Sequence, residues 1–193
     1  MMNIVEIFAV PNLVEELNYD LKGMTKYVKN YAKKNKSQKR STLGGYQSDN
    51  LYYKPGPIIN KFVNQLANPV KMFSTQLRLK QPIQLSNLWF NINKPGDSNL
   101  THSHAQASIS GIYYIQAPKN SGDLVFQSPA AELMDSYLPI SYANSFDRYN
   151  CSAWSVAPKA GVLLLFPSWI RHHVKINESK QERISVSFNY SFQ

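Results

Sequence analysis

The chain changes periodicity at Gln84, and that switch constrains its fold more than any other feature. Before it, apolar residues recur at helical spacing; after it, short β-forming runs alternate with turn formers. The runs are "LSNLWFNIN" (85–93), "ASISGIYYIQA" (107–117), "GDLVFQS" (122–128), "GVLLLFPS" (161–168), "HHVKIN" (172–177) and "RISVSFNYSF" (183–192). Pro95-Gly96, "PKNSG" and "NESKQE" punctuate them. Such a pattern predicts a mainly β barrel or sandwich with the N-terminal helices packed outside it.

The N-terminal part reads as helical support. Asn12 followed by Glu15 is a helix-start signal, and Leu13, Leu17, Leu21, Met24, Val28 and Tyr31 share one face, which predicts a helix over 12–33. Residues 33–50, polar and turn-rich, read as a loop. A second apolar set, Ile58, Phe62, Leu66, Phe73 and Leu77, predicts a helix from Pro57 to about Leu79, kinked or divided at Pro69. At 193 residues the chain suits a single domain, with 1–80 as support and 84–193 as the β core. The stretch 129–160 has no clean period and is long for a connector. It is expected to be a lid, with Tyr142, Phe146 and Tyr149 facing a substrate, or else a set of core aromatics closing an open face.

Composition narrows the class. A 43% hydrophobic chain with twelve Tyr, nine Phe and three Trp is globular in character. No apolar run approaches the roughly 18 residues that span a bilayer, and no secretory signal is visible. Cys151 is the only cysteine, so an internal disulfide is excluded and a reducing cytoplasm is the expected location. The net charge of +9 is uneven: no acid lies between Asp20 and Asp49, where Lys22, Lys26, Lys29, Lys33, Lys34, Lys36, Lys39 and Arg40 fall. The plainer reading is a solvated helix face running into a loop; contact with a polyanion through Lys22–Arg40 is the sharper one. Oligomeric state and membrane contact leave no sequence signal.

The four histidines form two small clusters, His102 with His104 and His172 with His173. In a strand, residues i and i+2 face the same way, so His102 and His104 can point into one cavity, with His172 as a third nitrogen donor. Hydrogen-bonded structural histidines would give the same spacing, and the pattern alone does not choose. In "RISVSFN", Arg183, Ser185, Ser187 and Asn189 alternate with Ile184, Val186 and Phe188, one polar face and one apolar. A serine-rich face lacks the long charged side chains that usually coat an exposed strand. An arginine with a serine two residues on suits a carboxylate, a planar fork and a hydroxyl approaching together.

The segments "NLWFNINKPGDSNLTHSHAQASISGIYYI", "GDLVF" and "GVLLLFPSWIRHHV…ERISVSFN", with "GGYQSD" at 44–49, resemble the 2-oxoglutarate/Fe(II)-dependent oxygenases found in bacteria and phages. The resemblance implies a double-stranded β-helix, a cupin-like jelly roll, in a bacterial or phage-infected cytoplasm. It implies a dioxygenase with Fe(II), 2-oxoglutarate and O2 as cofactors, coupling 2-oxoglutarate decarboxylation to hydroxylation of an unidentified substrate. Carried over residue by residue, it assigns His102, His104 and His172 to iron and Arg183 with Ser185 to the far carboxylate of 2-oxoglutarate. Asn91, Asn93 and Tyr113, or its neighbour Tyr114, are expected to line the pocket. The departure is His104, where the wider superfamily has Asp or Glu. His173 is expected to point away from the metal. Two other readings stand beside this one: a zinc hydrolase or hydratase on the same three histidines, and a cupin-like binding module without turnover.

Overall fold

The strands sort into two antiparallel sheets because each long run after Gln84 has one face for the helices and one for the partner sheet. The structure, a computed structural model, describes residues 3, 7–38, 40–137, 144–145 and 147–192. In chain order the elements are β1 (Leu13–Glu16), α1 (Leu21–Lys34), β2 (Thr42–Leu43), β3 (Tyr46–Gln47), a 3-10 turn (Leu51–Tyr53), α2 (Pro57–Gln76), β4 (Ile83–Asn93), β5 (Ser98–His102), β6 (Ile109–Gln116), β7 (Leu124–Gln127), α3 (Ala131–Tyr137), β8 (Ala153–Val156), β9 (Val162–Pro167), β10 (His172–Val174) and β11 (Arg183–Phe192). The larger sheet runs β1-β9-β6-β11-β4-β3, and the smaller runs β2-β5-β10-β7-β8. No strand pairs across the two sheets among the described residues, so the expected barrel is a pair of facing sheets with open lateral edges.

Two apolar clusters hold these layers. The first lies between the larger sheet and the helices: Met24 and Val28 of α1 and Ile59, Phe62, Leu66, Val70 and Phe73 of α2 pack on Leu88, Phe90, Val186 and Phe188. The second lies between the sheets, where Ile112, Leu164 and Phe166 meet Leu124, Phe126 and Val174. The Phe126 and Phe166 rings meet edge-on at 5.0 Å.

Local chemistry overrules the expected N-terminus. Residues 13–16 form a strand with alternating burial that pairs with β9, Leu13 opposite Leu165, and covers what would be a free sheet edge. The helix starts at Leu21, where the Asp20 carboxylate accepts from the Gly23 N–H at 2.9 Å. Pro69 does not divide α2, which continues to Gln76. The expected loop at 33–50 contains a crossing from one sheet to the other: Thr42 pairs with Asn99, and four residues on Tyr46 pairs with Ile92. Gly44 makes that turn with a φ of +82°, which a side chain would strain. Of the basic stretch, Lys22, Lys26, Lys33 and Lys34 are exposed on α1, and Lys29 pairs with Glu182 at 2.9 Å. Among the described residues, no helix is long and apolar enough to cross a membrane.

Candidate metal centre and its anion pocket

Strand pairing brings the distant histidines together. His172 lies directly opposite His102 across the β10–β5 pair. His102 is the last residue of β5, and His104 sits just beyond the strand, so the two do not share one regular strand face as the spacing suggested. His104 is held instead by its own N–H, which donates to the Ser168 carbonyl at 3.0 Å, and that contact brings it beside the β9–β10 turn. The ring centroids are 4.5 Å apart for His102 and His172, 5.0 Å for His102 and His104, and 5.2 Å for His104 and His172. One nitrogen of each lies within 4.8 Å of the others, close enough to share one metal ion.

Hydrogen bonds select which nitrogen each ring offers. A carbonyl only accepts, so the Nδ1–H of His102 donates to Leu100 O at 2.7 Å and that of His172 donates to Ile170 O at 3.0 Å. Both rings are thereby left with the Nε2 lone pair free, the tautomer a metal requires. Burial, with the neighbouring imidazoles adding to it, lowers the pKa of His104 to about 3 and that of His172 to about 4. The His102 pKa is also lowered by burial. The trio is therefore neutral at pH 7. His173 points to the other side, into an outer groove with Lys175 and Asp123, as expected.

Beside the trio, the inner faces of β4 and β11 form a polar ladder. Arg183 lies opposite Asn93, Ser185 opposite Asn91, Ser187 opposite Trp89, and Asn189 opposite Asn87. His102, His104, His172, Arg183, Ser185 and Asn91 line one cavity, and no carboxylate of the described residues lines it. Arg183 is only 1% exposed and has no ion pair among the described residues. A buried, uncompensated guanidinium is costly, and a bound anion would offset that cost. Its Nε, the Ser185 hydroxyl and the Tyr114 hydroxyl are buried without hydrogen-bond partners. Burial raises the Tyr114 pKa to about 12, so it keeps its proton as a donor. These orphaned donors fit a carboxylate, and three neutral imidazoles fit Fe(II).

The structure corrects two expected pocket residues. Tyr113 packs on the helix side of the sheet, its ring 5.1 Å from that of Phe62, and Tyr114 takes the inward position. Alternation along β6 required that one of the pair face each way. Asn93 does not line the cavity; it accepts from Arg183 Nη2 at 2.8 Å. Sequence reasoning missed Trp89, whose ring lies 5.6 Å from that of His104, although the period linking Asn91 and Asn93 runs back to it. Asn99, from β5, carried no signal. Tyr142 and Phe146 lie outside the described residues. Tyr149 is exposed, and β8 ties the end of the 129–160 stretch to the edge of the smaller sheet.

Fold comparison gives the architecture a class. A prolyl-4-hydroxylase from Pseudomonas putida superposes with a TM-score of 0.67 at 13% identity, covering 95% of this chain and 94% of that one. The alpha-ketoglutarate-dependent epimerase SnoN of nogalamycin biosynthesis gives 0.70 at 11%, covering 95% and 79%. HygX from Streptomyces hygroscopicus, solved with nickel and 2-oxoglutarate, gives 0.65 at 11%, covering 95% and 84%. The fold is therefore that of the non-heme 2-oxoglutarate oxygenases, the double-stranded β-helix. The profile described as "Putative 2OG-Fe(II) oxygenase" matches residues 87–189, more than half of the chain, and the chain belongs to that family. Fe(II) and 2-oxoglutarate are accordingly its cofactors, with O2 implied by the family. No curated protein sequence matches the chain.

Proposed function

We propose that the protein is a dioxygenase that couples oxidative decarboxylation of 2-oxoglutarate to hydroxylation of a second substrate. The observation that carries this reading is the shared cavity: three neutral imidazoles beside a buried guanidinium that has no carboxylate partner among the described residues. His102, His104 and His172 would hold Fe(II) through Nε2, leaving positions for 2-oxoglutarate and oxygen. Fe(II), when bound, supplies the oxygen activation that converts 2-oxoglutarate to succinate and oxidises a C–H bond of the second substrate.

The chain itself binds, orients and excludes water. Arg183 holds the distal carboxylate, with the Ser185 and Tyr114 hydroxyls free to donate to it. Phe126 and Phe166, whose rings lie 6.2 Å and 4.9 Å from that of His172, form an apolar wall that keeps water from that side of the metal centre. Trp89 and Ser187 also line the cavity. A zinc hydrolase would use the trio alone and leave the unpaired Arg183 without a purpose.

The deciding measurement is anaerobic addition of Fe(II) and 2-oxoglutarate, followed through the metal-to-ligand charge-transfer absorption. A saturable band, and succinate formed on admitting oxygen, support the reading. Tight Zn(II) binding with no such band overturns it.

A further inference from the structure

Arg183 heads the fully buried side chains by size, and its hydrogen-bond partners among the described residues are neutral. Nη1 donates to Gly122 O at 2.9 Å and, at 3.4 Å, to Ser121 O; Nη2 donates to Asn93 Oδ1 at 2.8 Å. Gly122 has a φ of +93°, and a Cβ there would lie 2.2 Å from Lys175 O, so this close-packed turn presents its carbonyl only as glycine. Among the described residues, Asn93 supplies the side chain of this cradle.

The orientation of the Asn93 amide follows from its neighbours. A guanidinium has no acceptor, so the amide oxygen must face Arg183. The amide nitrogen faces the other way and donates to Asn99 Oδ1 at 3.1 Å, and Asn99 Nδ2 donates to Ser41 Oγ at 3.4 Å. Asn99 is fixed in turn by its pairing with Thr42 of β2. On the main-chain side, Asn177 Nδ2 donates to Asn93 O at 2.9 Å. A chain of neutral amides thus runs from the N-terminal crossing segment to the guanidinium.

We propose that Asn93 is the positioning residue of Arg183, and that its neutrality is the functional property. It orients the guanidinium with a dipole while leaving the full positive charge for the ligand. Aspartate has nearly the same shape and would accept from the same nitrogen, but it would form an internal ion pair and spend that charge inside the protein. This inference rests on the reading of Arg183 as the seat of the distal carboxylate of 2-oxoglutarate.

The test is Asn93→Asp, with anaerobic titration of the Fe(II)-loaded protein by 2-oxoglutarate and, separately, by pyruvate. Pyruvate has the same 2-oxo acid head and no distal carboxylate. The expected result is a loss of 2-oxoglutarate affinity of about tenfold or more, with pyruvate and Fe(II) affinities changed by less than about twofold. A merely structural disturbance would weaken both ligands alike. Equal losses, or an unchanged affinity for 2-oxoglutarate, overturn the proposal. If Asn93→Asp does not fold, Asn93→Ala, which removes the amide acceptor from outside the cavity lining, must show the same selective loss. Failure of the parent protein to bind 2-oxoglutarate overturns the reading of the site and this proposal together; failure confined to the variant's selectivity overturns the proposal alone.

Discussion

The two faces of β11 do opposite work on one strand. Ile184, Val186, Phe188 and Tyr190 face outward into the helix-covered core, while Arg183, Ser185, Ser187 and Asn189 face the space between the sheets. The same division runs along β4, with Leu88, Phe90 and Ile92 outside and Trp89, Asn91 and Asn93 inside. In a simple sandwich the space between the sheets is the core and must be apolar. Here α1 and α2 build a second core on the outside, and the apolar part of the interior is built on β6, β7, β9 and Val174 of β10. The β4–β11 part is thereby free to carry groups that destabilise the folded chain on their own. Arg183 is the extreme case.

If inner residues serve ligands and outer residues serve stability, substitutions on the two faces must fail in different ways. The largest effect is expected for His172→Ala on the inside. Removing one of three nitrogen donors should abolish Fe(II) binding, read by anaerobic titration, and Fe(II) binding retained at parental affinity would refute the assignment. Next is Phe188→Ala on the outside, fully buried against Phe62 and Tyr190. It should cost about 3–5 kcal/mol in denaturant unfolding while the folded fraction still binds metal. A selective loss of metal binding there would dissolve the division between the faces.

Arg183→Ala should weaken 2-oxoglutarate binding by about 2–5 kcal/mol, and Arg183→Lys should also weaken it, because a point charge cannot reproduce the fork. Neither should weaken Fe(II) binding. Since the guanidinium is buried without an ion pair, Arg183→Met, which keeps most of the volume and removes the charge, should leave the metal-free protein more stable than Arg183→Ala, which opens a cavity. A separate expected effect is acid sensitivity of the metal-free protein. His104 and His172 titrate at about 3 and 4 in the folded chain against 6.5 in the open chain. The unfolded state therefore takes up protons first, and stability falls as pH drops from 6.5 towards 4. A His104→Gln variant should show a shallower fall in thermal midpoint over that window, and an unchanged slope would contradict the burial of this group.

The β runs and the polar–apolar alternation of 183–189 were legible from period alone, because side-chain direction in a strand follows sequence parity. Parity could not say which of Tyr113 and Tyr114 faces inward, since that depends on which neighbours each strand meets. The N-terminal strand was misread as helix because Leu13 and Leu17 satisfy a helical period while the free edge of β9 asks for a strand. His104 was placed near the metal for an insufficient reason: its position rests on the Ser168 carbonyl, a contact 64 residues away in sequence.

By itself the sequence determined the donors, since only side-chain chemistry decides that imidazole, guanidinium and hydroxyl are available and that no carboxylate accompanies them in "THSHAQ" or "RISVSFN". Tertiary structure decided their use. Opposing His102 with His172, turning both Nε2 atoms inward through i−2 carbonyls, and cradling Arg183 in neutral oxygens are all consequences of strand pairing and turn packing. Such contacts join residues far apart in the chain, and their energies exist only once the loops between them are closed.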